Sequence, residues 1–163
     1  MRRIYILATA VLVLVFLTNG PSSIDAATRA SRDKEIVEQM FAAWNSHDAE
    51  KVAAAFSEDA VYEDVTAGQI NRGREDVRKW AAGAFVVVEN FKMEVVSSSF
   101  HNGQGVVEWV WSGTDKGLLN TGKNFSVRGV SVIEVRKGKI WRYKEYYDFA
   151  AIMRQVGVLP SEK

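Results

Sequence analysis

The sequence predicts an α+β fold, on three observations. Helical periodicity dominates the first half of the chain, strand alternation fills most of the second half before a short closing helix, and turns join the strands. Helices first and an antiparallel meander last is the α+β pattern. A bent, mostly antiparallel sheet wrapped against N-terminal helices leaves a cone whose inner wall is lined by alternate residues of the long strands, and such a hollow is a natural small-molecule site. With 163 residues the chain suffices for one domain with a real core and is short for two.

The first stretch reads as a leader. Arg2 and Arg3 precede an apolar run from Ile4 to Leu17, which Asn19, Gly20, Pro21 and Ser22 then break. That is the layout of a secretory signal peptide. The run is shorter than the about 20 residues a helix needs to span a bilayer core. The expectation is cleavage after Ala26 or Ala27: residues 1–27 form a signal peptide, and residues 28–163 form a single domain, secreted or periplasmic, with no membrane contact afterwards.

From Ala30 to Ser46 the residues Ile36, Val37, Met40, Phe41 and Trp44 recur at helical spacing. Asn45-Ser46-His47-Asp48 stops this helix, and Asp48 can cap a shorter one through Phe56. His47 is either a ligand contact at a helix junction or a plain turn histidine. Ser57-Glu58-Asp59 reads as a turn and Ala60 to Val65 as a short strand, on which either Glu63 or Asp64 faces inward. Gly68 to Gly73 is expected to be loop. Val77, Trp80, Ala81, Ala84, Phe85 and Val88 then mark a regular amphipathic helix, with Asn90 as its stop.

The remainder alternates as sheet. Phe91, Met93 and Val95 share one face of a strand that turns at Asn102-Gly103, where His101 is most simply a hairpin residue. On the next strand, Gly105 to Thr114, Trp109 and Trp111 lie on one face, as core residues or as a ligand platform. A long strand from Lys123 to Arg136 turns at Lys137-Gly138 into Ile140 to Asp148. After Asp148 a short helix closes the chain, ending at Gly157 ahead of Pro160.

The strand from Ile140 to Asp148 carries the functional question. Strict alternation places Trp141, Tyr143, Glu145 and Tyr147 together, opposite Ile140, Arg142, Lys144 and Tyr146. Arg142 and Lys144 mark the second face as wet, so three aromatic residues carry Glu145 inward. A carboxyl so placed is either a paired structural group or a working acid or base. In the first reading Glu145 pairs with a neighbouring cation such as Arg128, which lies mid-strand. In the second, burial raises its proton affinity toward neutrality, where a general base serves best. The candidate ligand contacts are Tyr62, Asp64, Trp109, Trp111, Arg128, Trp141, Tyr143 and Tyr147, with Tyr62 or Tyr143 able to bond a developing enolate oxygen.

Composition narrows the partners. The chain holds 21 basic and 20 acidic residues, and losing the leader removes Arg2, Arg3 and Asp25, leaving 19 of each. A neutral domain lacks the basic footprint of nucleic-acid binding. Without cysteine there is no disulfide and no thiolate nucleophile, and His47 and His101 lack metal-ligand spacing, so no metal site is expected.

Trp44-Asn45-Ser46-His47-Asp48, Phe56-Ser57-Glu58-Asp59-Ala60, Gly113-Thr114, Thr121-Gly122-Lys123, Arg128-Gly129-Val130, Gly138-Lys139-Ile140, Tyr146-Tyr147-Asp148 and Arg154-Gln155-Val156-Gly157, in this order and spacing, resemble the SnoaL-like polyketide cyclase branch of the nuclear transport factor 2-like superfamily. The resemblance runs from Asp33 to Leu159. It implies a cone-shaped α+β barrel with a deep apolar pocket and frequent homodimers. It also implies an acidic base at Glu145, where the family more often has Asp, with Asp148 as the motif residue nearer the strand end. Epoxide hydrolases of the superfamily use an Arg and an Asp two residues apart on an earlier strand, where this chain has Trp109 and Trp111, so that mechanism is not expected. What remains is cofactor-free cyclisation or isomerisation of a carbonyl compound, or a non-catalytic module, either binding a small apolar molecule or serving as a dimeric accessory protein.

Overall fold

A computed structural model describes residues 23–160. The charged and apolar parts of the expected leader, through Ser22, lie outside the described residues. Helix α1 (Ser23–Asn45) opens earlier than the sequence suggested, so Ala26 and Ala27 are helical. Short α2 (Ala49–Ala54) follows, capped by Asp48, whose carboxylate accepts from the Lys51 amide at 3.0 Å.

The chain then builds β1 (Phe56–Asp64), β2 (Gln69–Arg72), α3 (Arg74–Val87), β3 (Val88–His101), β4 (Gln104–Asp115), β5 (Asn124–Arg136), β6 (Lys139–Tyr147) and α4 (Phe149–Gln155). Among the described residues six strands form one curved, unclosed sheet in the order β2-β1-β6-β5-β4-β3. Every pairing is antiparallel except β1 with β6. The expected α+β architecture is therefore present, with two details changed at the front. β1 absorbs the supposed turn at Ser57 to Asp59, and β2 occupies most of the supposed loop. That edge strand is only four residues long, too short to show alternation.

Two of the hairpin turns are those the sequence marked. Asn102-Gly103 and Lys137-Gly138 both hold positive φ at each position (49° and 80°, 49° and 74°). This geometry matches the twist of the flanking strands, and glycine adopts it without strain.

The core lies between the concave face and the helices. Val37, Met40, Phe41 and Trp44 of α1 and Val77 and Ala81 of α3 meet Val107, Trp109, Phe125, Val127, Ile133 and Tyr143 from the sheet. Two side-chain amides act as short strand substitutes. The Asn45 amide donates to the carbonyl of Met93 and accepts from its N–H, both at 2.8 Å, on edge strand β3. His47, exposed and at φ 54°, bonds the Phe91 carbonyl through Nε2 beside it. Gln155 does the same to Ser126, accepting from its N–H at 2.9 Å and donating to its carbonyl at 2.8 Å.

Candidate active site

Register decides which side chains meet. In β6 the pairing with β5 runs Val135 to Ile140 and then Glu134 to Arg142, leaving Trp141 as an extra residue. This β-bulge puts two residues of one strand opposite one of the other. Alternation therefore restarts after Trp141: Ile140 faces the core on one side of the bulge, and Tyr143, Glu145 and Tyr147 face inward on the other. Trp141, expected inside, lies among the guanidinium groups of Arg136 and Arg142, whose central carbons sit 3.3 and 4.1 Å from its ring centroid. It is absent from the cavity wall. Arg128 is also displaced from its expected role. Its side chain is 78% exposed on the outer face and pairs with Glu108, so it neither neutralises Glu145 nor reaches the cavity.

Parallel pairing of β1 with β6 aligns Tyr62 with Tyr143 and Asp64 with Glu145. Asp64, not Glu63, is the inward acid of β1; Glu63 is turned toward Lys144, its ion-pair partner at 3.0 Å. Glu145 is only 7% exposed and its Oε1 accepts a 2.6 Å hydrogen bond from the Tyr62 hydroxyl. The rings of Tyr62 and Tyr143 stack at 4.7 Å. Behind them the Trp109 indole N–H donates to Ser131 at 2.7 Å, and Ser131 donates to the Tyr143 hydroxyl at 2.7 Å. Both tyrosine hydroxyls are thus committed to this network around Glu145, and Tyr143 is absent from the cavity wall, so neither stands free for an enolate oxygen. Gly129 lets the Trp109 ring lie flat against β5, because a Cβ at that position would collide with the indole.

Asp64 is 2% exposed; it accepts from the Tyr147 hydroxyl at 2.9 Å and from the Ala67 amide at 2.8 Å. Thr66 ties the same turn to the site strand, its hydroxyl donating to the Tyr147 carbonyl and accepting from the Tyr147 amide, both at 3.0 Å.

These groups line one end of a cavity of about 630 Å³. Its wall is mainly aromatic and apolar, including Trp44, Trp80, Phe91, Trp109, Trp111 and Phe149, with Asp64, Glu145 and Tyr147 among its polar members. The Trp111 indole nitrogen is buried without a hydrogen-bond partner. Trp44, Trp80 and Phe91 sit on apolar stripes that the sequence made visible only as core. Ser131 had a weak signal, a lone hydroxyl in the inward alternation of β5.

Burial pushes the Glu145 carboxyl up to about 8, and the neighbouring charge of Asp64 adds to the rise. The bonds from Tyr62 and Tyr143 act the other way and are outweighed. Burial also raises Asp64, against the bonds from Ala67 and Tyr147. Tyr62, Tyr143 and Tyr147 are all raised, first by burial and then by the nearby carboxylates, so their hydroxyls stay protonated donors. The arrangement is a carboxyl with its ionisation pushed up to about 8, set in an apolar wall. Among the described residues no group of His, Asp or Glu is arranged to hold a metal ion.

Comparison with known proteins shows what the fold is similar to. A protein of ketosteroid isomerase-like fold from Catenulispora acidiphila, crystallised with trimethylamine, matches with a TM-score of 0.71 at 25% identity over 76% of this chain and 92% of that one. A protein assigned as a polyketide cyclase from Xanthomonas campestris matches with a TM-score of 0.67 at 22% identity, over 78% and 98%. An LEH-like epoxide hydrolase of M. tuberculosis matches with a TM-score of 0.67 at 18% identity, over 80% and 92%. The family model for the SnoaL-like domain matches residues 37–143. With that match spanning most of the sheet and its helices, the chain belongs to the SnoaL-like domain family.

Proposed function

We propose that this is an exported protein that binds a small, largely apolar molecule in the cavity and moves a proton on it, with Glu145 as the base. The observation that carries the reading is the setting of Glu145: at the cavity wall, bonded by a tyrosine, without a basic side chain as partner among the described residues, and pushed by burial up to about 8. In the step, the carboxylate takes a proton from a carbon next to a carbonyl, the C–H electron pair moves into the enolate, and the same carboxyl returns the proton elsewhere on the ligand. Double-bond isomerisation and intramolecular aldol cyclisation both follow this course, and such a base typically contributes about 10²- to 10⁴-fold. Family membership and the small molecule held by the Catenulispora acidiphila relative support a small-molecule ligand.

Export rests on the basic and apolar pattern of residues 1–27. The reading includes a homodimer joined through the outer sheet face, where Val106, Val132 and Tyr146 are exposed.

The test is exchange of α-protons of apolar ketones in D₂O, followed by proton NMR. The wild type accelerates exchange, with a rate that rises with pH and levels above about 8, where Glu145 is ionised. Glu145→Gln abolishes the acceleration while retaining the cooperative thermal transition. Equal rates in the two proteins would overturn the base assignment. Ligand binding by the wild type without exchange on any ketone would leave a binding module.

A further inference from the structure

Asp64 and Glu145 stand side by side on paired strands at one end of the cavity. Among the described residues no basic side chain reaches them. Arg128 pairs with Glu108 on the outer face and Lys144 with Glu63. Lys79, which does border the cavity, is 62% exposed and held by Glu75 and Asp76. Trp80 of α3, Trp109 of β4 and Tyr147 of β6 border the cavity with the two acids. Trp80 lies 6.4 Å from the Tyr62 ring, and Trp109 lies 6.2 Å from Tyr147. Aromatic faces carry partial negative charge and attract cations. Acids and rings therefore favour the same kind of guest.

We infer that the ligand is an alkylated ammonium compound, its cation seated between the Asp64–Glu145 pair and the rings of Trp80, Trp109 and Tyr147, its apolar body extending toward Phe91 and Trp44. Phe91 belongs to β3, three strands from β6 in the sheet, which at about 4.8 Å per strand leaves roughly 14 Å for that body. The inference rests on the cavity's being the ligand site and names the ligand's chemical class. It also supplies what the proton transfer lacks. The Tyr62 and Tyr143 hydroxyls are engaged around Glu145, and the positive charge facing an enolate then belongs to the substrate itself.

A cation beside Glu145 favours the carboxylate. The ionisable side chains near it are Asp64 and Tyr62 on β1 and Tyr143 and Tyr147 on β6, with Lys79 of α3 at the rim. Burial and the Asp64 charge keep Glu145 protonated up to about pH 8, so at pH 7 a bound cation expels a proton.

The test titrates the full chain with benzyltrimethylammonium and with its uncharged carbon isostere, neopentylbenzene, following tryptophan fluorescence. The cation binds on the order of tenfold or more tightly than the isostere, and Trp80→Leu shrinks that ratio. Calorimetry at pH 7 in buffers of different ionisation enthalpy shows up to about 0.9 proton released per cation bound, and none in Glu145→Gln. Equal or tighter binding of neopentylbenzene overturns the ammonium class while leaving the cavity and its ketone exchange intact. Cation binding without proton release by the wild type, whose folding is not in question, also overturns it. Failure of both probes together with absent ketone exchange removes the site itself.

Discussion

Replacing Glu145 by Gln changes how stability depends on pH. In the unfolded chain this carboxyl ionises near 4.5, and in the fold near 8. Between those values the native protein holds a proton that the unfolded chain has released, so stability falls as pH rises, by about 1.4 kcal/mol per pH unit. Over the whole window the loss is on the order of 5 kcal/mol, a large part of the about 5 to 15 kcal/mol typical of a domain. The contribution is fully present below 4.5 and gone above about 8. Asp64, also raised, acts in the same direction. Asp115 acts oppositely, but its window lies between 3.8 and about 2, below the range at issue. The raised tyrosines destabilise only above pH 10. The assay is urea unfolding at half-unit steps from pH 5 to 9. Wild-type protein loses stability up to about pH 8 and levels off, whereas Glu145→Gln shows a much shallower slope and is the more stable of the two at pH 8. A wild-type curve that is flat or rising from pH 5 to 8, or a variant with the same slope as the wild type, refutes the reasoning. On the proposed role of Glu145, the group that ties stability to mild acid also ties ketone exchange to mild alkali, so the two are expected to have opposed pH optima.

Three further outcomes are expected. Tyr62→Phe removes a hydrogen bond that favours the carboxylate, so the ionisation of Glu145 moves up by about one to two pH units, read from the pH dependence of ketone exchange. Asp115→Asn loses acceptor capacity toward the amides of Leu119, Asn120 and Thr121 and the Thr121 hydroxyl; it lowers stability by about 2 kcal/mol and flattens the acid limb below pH 3.8, seen in denaturation at low pH. Gly129→Ala forces Trp109 off β5 and destabilises by about 1 to 3 kcal/mol in thermal melting, while Arg128→Ala, on the outer face away from the cavity, leaves ligand binding unchanged.

Periodicity is strongest where an element is long and one face is buried, and there the chain was readable in advance. The α3 stripe from Val77 to Phe85, the inward Phe91 and Met93 of β3, the alternation of β4 and the two glycine turns stand where their spacing placed them. Val88 and Asn90, expected as the end and stop of the helix, instead already belong to β3, and Val95 is turned out next to a register shift. Trp141 was misplaced because a bulge is a relation between two strands: its signature is the skipped partner in β5, which no spacing within β6 encodes. The inward orientation of Tyr143, Glu145 and Tyr147 does not depend on Trp141, since all three follow the bulge. Choosing between Glu63 and Asp64 required the parallel register with β6. Arg128 found Glu108 across the β4–β5 ladder, at a diagonal from its direct partner Val110, which sequence alone does not specify.

The amide clamps of Asn45 and Gln155 bear on how the sheet resists strand addition in a crowded solution. A sheet rim with free N–H and C=O groups is a template on which another chain can lay itself. At Met93, on the rim strand, and at Ser126, one carboxamide meets both groups of a residue at once. Since Asn45 closes a long helix and Gln155 a short one, docking of either helix also blocks a foothold for strand addition, so fraying of these helix ends would expose adhesive backbone well before the interior opens.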